Sequence, residues 1–345
     1  MADILWHNQT LFKNPEVFDF AYIPESFEHR GGQLQAMADC IKPAFNNMKP
    51  INCKIIGETA TGKTTSVKIV FNEAEKESSN IIFCHINCSI SHNIFSLFSQ
   101  IHKKVLGHTP PSSGFPLKDV YDNIMKKLKS SKKTLIIALD DAVYLEEINK
   151  VIYDLLRACE IYNTKVGVWI VGLPNELFAL DEKTLSIFSP HQINFPKYTK
   201  EEIINILKKR ADYGLYQNVI SKQIIDKIAN ETLKKDLRFG IELLKSCVIE
   251  AENKSEKAVE SDDFDSAFKK FSKIDGKETK DEKELIILNL LTQEGIISGE
   301  LFEKLKDKMS YSSYYRLIDK LNKKGLISIE EKFSNTGRTR VIRPI

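Results

Sequence analysis

The segment Gly57-Glu58-Thr59-Ala60-Thr61-Gly62-Lys63-Thr64, followed by Thr65, constrains this chain more than any other stretch. It matches G-x-x-x-x-G-K-[ST]. It lies between the apolar strand-like run Asn52-Cys53-Lys54-Ile55-Ile56 and a helix-like run from Lys63. Such a motif carries chemistry only in a strand–loop–helix setting, and both flanks supply one. Glycine tolerates the backbone angles that curl a loop until successive N–H groups face one anion. The helix that follows adds unpaired N–H groups and the positive end of its dipole. In that setting Lys63 is expected to reach the β- and γ-phosphates of ATP, and the Thr64 hydroxyl to bind Mg2+. The nine residues Gly57 to Thr65 are the expected cofactor-binding loop.

A second acidic group is needed on the metal side. Thr134-Leu135-Ile136-Ile137-Ala138-Leu139 has a strand pattern and ends in Asp140-Asp141, which would place both acids at the carboxyl end of a sheet, beside the loop. Asp140 is expected to hold Mg2+ through water. Asp141 is expected to polarise the attacking water, although aspartate is one methylene shorter than glutamate. Strand patterns at 52–56, 81–86, 134–139 and 166–171 alternate with helical ones at 32–46, from 63, 92–106, 118–129 and 145–161. That alternation predicts an α/β fold with a parallel sheet and helices on both faces.

Beyond Pro196 the pattern becomes all-helical: 199–213, 221–231, 236–253 and 261–271. Lys273-Ile274-Asp275-Gly276-Lys277 reads as a linker. The last 65 or so residues read as three helices and a hairpin, with strands at 326–332 and 338–343 joined by the turn-forming run Phe333-Ser334-Asn335-Thr336-Gly337. That is the winged variant of helix-turn-helix. Three domains are expected: 1–198 for the nucleotide, 199–275 as an all-α domain, and 276–345 as a winged helix. Net charge is only +3, yet residues 308–345 hold nine Lys/Arg against three Asp/Glu. A cationic terminal domain is what DNA phosphates require. No apolar run approaches the roughly 20 residues of a membrane helix, and the start lacks the layout of a secretory signal. The expected setting is cytoplasmic, associated with the nucleoid. Six scattered cysteines fit buried thiols. Cys84-His85-Ile86-Asn87-Cys88, with His92 beyond, holds metal-ligand residue types, but no partner CxxC or HxxxH follows. A buried strand with two thiols is the expected reading.

With these motifs the chain resembles the AAA+ replication initiators of archaea, the Orc/Cdc-type origin-recognition and helicase-loading family, over nearly its whole length. Tyr22-Ile23-Pro24-Glu25-Ser26-Phe27-Glu28-His29-Arg30 resembles the family element that packs on the adenine, which implies Tyr22 and Arg30 as nucleotide contacts. Val171-Gly172-Leu173-Pro174-Asn175-Glu176-Leu177 resembles sensor 1, with Asn175 orienting the attacking water. Phe195-Pro196-Lys197-Tyr198-Thr199 resembles the run into the helical lid, with Tyr198 beside the nucleotide. Asp236-Leu237-Arg238-Phe239-Gly240 resembles the start of the sensor-2 helix, with Arg238 as its arginine. An arginine on a lid can form charge-assisted bonds to the γ-phosphate, so lid closure would report the nucleotide state. The resemblance implies an AAA+ parallel-sheet P-loop domain, an all-α lid and a C-terminal winged helix. Asp141, Asn175 and Arg238 would be the catalytic groups. Lys183 stands where the family often has a finger arginine, and a lysine lacks the planar fork. With Asp141 in place of glutamate, this implies weak ATPase activity.

The resemblance also implies origin DNA and the MCM helicase as partners, with other initiator copies possible. Tyr311–Leu321 reads as the recognition helix. Ser312, Ser313 and Tyr314 at its start are expected to reach base edges or phosphates, and Leu317, Ile318 and Leu321 to face the core. Arg338 and Arg340 in the wing, which resembles the family's, are expected to neutralise phosphates. Lys103 and Lys104, on the helix after the second strand, occupy the place of the family's initiator-specific motif. An ordinary surface helix is an equal reading there. A winged-helix transcription regulator and a plasmid-maintenance ATPase would share many of these motifs. A clamp loader would carry a Ser-Arg-Cys finger motif, which this sequence lacks.

Overall fold

Strand β3, Thr134–Asp140, is buried along its whole length, and a doubly covered sheet is built around it. The computed structural model describes residues 10–24, 27–111, 114–174, 180–278, 287, 290–291, 295–306, 309–323, 326–334 and 337–344. The other strands are β1 (Cys53–Gly57), β2 (Ile81–Asn87), β4 (Lys165–Gly172) and β5 (His191–Phe195), in the order β2-β3-β4-β1-β5. All the pairings are parallel. Side chains alternate across a strand. Leu135, Ile137 and Leu139 therefore pack under α3 (Ile94–Leu106), α4 (Leu117–Ser131) and α5 (Ile148–Tyr162). Ile136 and Ala138 pack under α1 (Gly31–Phe45) and α2 (Lys63–Glu77). Burial on both faces explains why the strand is apolar throughout instead of alternating with polar residues.

The fifth strand has no counterpart among the strands that the sequence pattern predicts. Among the described residues it pairs only with β1, and within it only Ile193 and Phe195 are buried. An edge strand this short buries too little to print a readable pattern. Helix α6 (Glu182–Phe188), capped by Asp181, is likewise absent from the predicted elements.

The lid follows as expected: α7 (Lys200–Gly214), α8 (Lys222–Lys234) and α9 (Leu237–Asn253). Each begins on a polar cap. Thr199 and Glu202 form a reciprocal capping box, Ser221 accepts from Ile224 N, and Asp236 accepts from Phe239 N. Such caps satisfy N–H groups that the first turn leaves unpaired. The linker expected at 273–277 is instead part of α10, Ser261–Glu278. One glycine costs a helix about 1 kcal/mol and does not by itself end it. The chain divides into two compact units, Met1–Phe264 and Asp265–Ile345.

In the second unit, β6 (Ile296–Ile297), α11 (Ser298–Glu303), α12 (Tyr311–Lys323), β7 (Ile327–Ser334) and β8 (Gly337–Pro344) are described. Its antiparallel sheet runs β6-β8-β7, with β7 and β8 forming a hairpin. Leu317, Ile318 and Leu321 face its core, as their helical spacing predicts. Of the three helices and hairpin expected there, two helices and the hairpin are among the described residues, and β6 is a third strand that the sequence pattern does not predict. All six cysteines are free thiols and five are buried. No described helix is long and apolar enough to cross a membrane.

Candidate nucleotide-binding site

The phosphate loop leaves the end of β1 between β4 and β5, at a point where strand order reverses. Such points open a crevice at the carboxyl ends of the strands. The loop's two glycines are there for space as well as for curvature. A Cβ on Gly57 would collide with the carbonyl oxygen and Cβ of Phe195 in β5. Gly62 has φ +94°, and a Cβ there would lie 2.8 Å from the Tyr198 hydroxyl and 2.9 Å from the Phe27 ring. Ala60 also adopts the left-handed region, with φ +57°. Alternation of this kind turns successive N–H groups toward one side, forming a nest for an anion.

Inside the loop, the Thr61 hydroxyl donates to the Glu58 carbonyl at 2.8 Å. Lys63 Nζ donates to the carbonyls of Gly57 (2.7 Å) and Glu58 (2.8 Å). Two strands away, Thr64 Oγ1 donates to Asp140 Oδ2 at 2.7 Å. His85 Nε2, from β2, lies 3.0 Å from that same oxygen. Burial pushes the Asp140 carboxyl up, but its bonds from His85 and Thr64 outweigh burial and hold it below its ordinary value. Asp141 is raised by burial and by Asp140 beside it. It stands in the left-handed region at φ +52°, a conformation aspartate tolerates better than most residues. Burial draws Lys63 below its ordinary value, against the opposing pull of Asp140 and Asp141.

Thr59 to Thr65, Asp140, Asp141 and Arg238 line one cavity of about 400 Å³, together with Tyr22 and Tyr198. That volume lies in the range of small-molecule sites. Gly57 and Glu58 stand behind the loop and supply carbonyls to Lys63. Asp236 caps α9 and so sets Arg238 in its first turn, on the lid side of the cavity. Asn175 falls outside the described residues.

Arg30 corrects an expectation. It is 2% exposed and is not part of the cavity wall. Its Nε donates to the Thr61 carbonyl at 3.0 Å and its Nη2 to the Pro196 carbonyl at 2.7 Å. Its guanidinium lies 3.8 Å from the centre of the Tyr198 ring. The donors that would meet a nucleotide are engaged in tying the phosphate loop to the chain leaving β5.

The end of the cavity lined by Tyr22 is assembled by contacts that leave no mark on the sequence. Between Thr10 and His29 the chain is bonded to the lid. Leu11 N donates to Glu252 on α9 at 2.6 Å, and Lys13 and Asn14 donate to the Gly214 carbonyl on α7 at 2.9 and 3.0 Å. Asp19 pairs with Lys245 on α9 at 3.3 Å. Arg210, on α7, donates to the Val17 carbonyl and sits 4.7 Å from the Tyr22 ring centre. Tyr22 thus belongs to a strap fastened to the lid, while the phosphate loop belongs to the sheet. Both bodies contribute to one cavity.

Other expected residues are placed as follows. Lys183 has its ammonium 4.3 Å from the Tyr153 ring centre on α5. Lys103 is exposed in the last turn of α3, and Lys104 is paired with Glu75 at 2.8 Å. His102, beside them on the same helix, is buried with Nδ1 2.9 Å from the His108 carbonyl. In the second unit Ser312 is exposed and Ser313 half-buried at the start of α12. Tyr314 corrects an expectation: it is fully buried, and its hydroxyl donates to the Ser298 carbonyl at 2.9 Å. It lies three residues before Leu317 and four before Ile318, on the apolar face that helical spacing turns inward, so it cannot reach a base edge. Arg340, on β8, is 5.9 Å from the Tyr315 ring centre. Arg338 is on the same strand, and its side chain falls outside those described.

Comparison with known proteins agrees with this architecture. The Cdc6 AAA+ ATPase-type lid domain family matches residues 204–269, and the AAA domain family matches 50–180. The ORC1-type DNA replication protein 2 of Methanothermobacter thermautotrophicus is 39% identical over 334 residues, covering 93% of this chain and 88% of that protein. Among solved structures, the Aeropyrum pernix ORC1 protein in complex with DNA has a TM-score of 0.73 at 21% identity, over 98% of this chain and 94% of that one. The ORC2 protein of the same organism, in ADPNP-ADP complexes, has a TM-score of 0.63 at 22% identity, over 97% and 94%. These two show a common fold. By its identity to curated relatives along almost all its length, the chain belongs to the ORC1-type DNA replication protein family, with an AAA+ core and a Cdc6-type lid.

Proposed function

We propose that this chain is an ATP-binding replication initiator that recognises origin DNA through residues 276–345 and recruits or loads the MCM helicase. The observation that carries the reading is the shared cavity. Lys63, Thr64 and Asp140 stand on the sheet side of it, and Arg238 and Tyr22 on the lid side. A nucleotide held there touches both bodies, so its phosphates bias the lid. Residues 1–198 form the nucleotide domain in this reading, 199–275 the lid, and 276–345 the DNA-binding domain. Thr64 and Asp140 form an oxygen corner around one buried carboxylate kept in its ionised form, which fits the donors Mg2+ takes. When bound, the metal supplies charge neutralisation at the β- and γ-phosphates. In this reading Asn175 would orient the attacking water, and Asp141 would polarise it with a reach one methylene shorter than glutamate's. Lys183 is engaged with Tyr153 of its own chain. Hydrolysis is therefore slow, and a turnover of roughly 1 s⁻¹ or faster, an ordinary enzymatic rate, would contradict that part of the reading.

Genome-wide mapping of the sites bound by the full chain tests the function. Peaks at replication start points are expected. Peaks scattered over promoters would favour a transcription regulator and overturn it.

A further inference from the structure

The run Cys84-His85-Ile86-Asn87-Cys88 stands out for its metal-ligand residue types, and the sheet divides it in two. Cys84, Ile86 and Cys88 point into the core under α3 to α5. Burial pushes the Cys84 and Cys88 thiols up to about 12, where they stay protonated. Among the described residues no cluster of three or more His, Cys, Asp or Glu is arranged to hold a metal. His85 lies on the opposite face, the one that packs against α2.

Register explains what it meets there. His85 pairs with Ala138, and Asn87 pairs with Asp140. His85 and Asp140 are therefore diagonal neighbours on one face, within reach of a long side chain. The contact is His85 Nε2 to Asp140 Oδ2 at 3.0 Å. An ionised carboxylate only accepts, so Nε2 carries the hydrogen. Asp140 is 2% exposed. Its Oδ1 accepts from Asp141 N at 3.2 Å, and its Oδ2 accepts from both Thr64 and His85. Thr64 is itself assigned to the metal side of the nucleotide site. Among the described contacts, His85 is the side-chain donor to Asp140 that has no other task there.

We propose that His85 is a positioning residue: its Nε2–H fixes the rotamer of the Asp140 carboxylate and so presents it, already oriented, at the metal corner of the nucleotide site. The proposal rests on the reading of this cavity as a nucleotide site. Partners that orient a metal ligand matter to metal affinity by about 10- to 100-fold.

The test uses the full chain and a fluorescent ADP analogue, titrated in EDTA and then across a range of Mg2+ concentrations. His85→Phe keeps a ring but offers no donor. It is expected to raise the Mg2+ concentration at the midpoint by about 10-fold, with affinity in EDTA changed by less than about twofold. His85→Gln, whose amide can still donate, is expected to return the midpoint to within about threefold of the wild type. Where His85→Phe does not fold, by loss of its cooperative thermal transition, His85→Ala carries the same expectation. An unchanged midpoint overturns the proposal, as does an equal loss with and without Mg2+, which would mark a merely structural role. A wild type that binds ADP but gains nothing from Mg2+ removes the metal corner alone. A wild type that binds no ADP removes the cavity's reading altogether.

Discussion

Lys63→Ala is expected to weaken ADP and ATP binding by about 100-fold. Two charge-assisted hydrogen bonds, each worth about 1.5–3 kcal/mol, are at stake, and every 1.4 kcal/mol or so is a factor of ten. Lys63 is 9% exposed, and its ammonium sits over the Gly57 and Glu58 carbonyls at the mouth of the nest. Neither nearby arginine can take its place. Arg238 is on the lid, and Arg30 is turned away into the Thr61 and Pro196 carbonyls. Isothermal titration of wild type and variant with ADP measures the ratio, and a thermal melt of each shows that the fold is intact. Affinity within about threefold of the wild type would remove Lys63 from the phosphate site and, with it, the main support for the functional reading.

The second large effect concerns DNA. Reversing Arg338 and Arg340 to glutamate is expected to lower affinity for any duplex by on the order of 10- to 100-fold near 0.1 M salt. The slope of log affinity against log salt should become shallower by about 2, one for each phosphate that the wing no longer neutralises. The same reversal at Lys103 and Lys104 should do less. Lys104 already has a carboxylate partner, Glu75 at 2.8 Å, so its charge is partly compensated. The comparison is made by fluorescence anisotropy with one duplex at several salt concentrations. Equal weakening at the two places, or none at the wing, would mean that the DNA path is drawn wrongly.

Local rules read well in this chain. The phosphate loop needs only its glycines, lysine and threonine between a strand and a helix. The lid helices declare themselves through Thr199, Ser221 and Asp236 at their starts and apolar residues at helical spacing. Two differences between expectation and structure share one cause. Arg30 and Tyr314 are each read from a short stretch of sequence, while burial and partners elsewhere decide their roles. Tyr314 looks available because it sits at the start of a recognition helix. Its hydroxyl finds the Ser298 carbonyl, and its ring joins the core. Arg30 looks like part of a nucleotide element, yet its acceptors are the Thr61 and Pro196 carbonyls.

The sequence by itself determined most of the strands, loops and helices, because backbone freedom, capping and apolar spacing act over a few residues. It also named Lys63, Thr64 and Asp140. Only the tertiary structure decided that His85 donates to the oxygen Thr64 also reaches, and that residues 10–22 are fastened to the lid. Those contacts join residues 55 positions apart in one case and 241 in another. Strand order and lid packing bring such pairs together, and neither leaves a periodic trace along the chain.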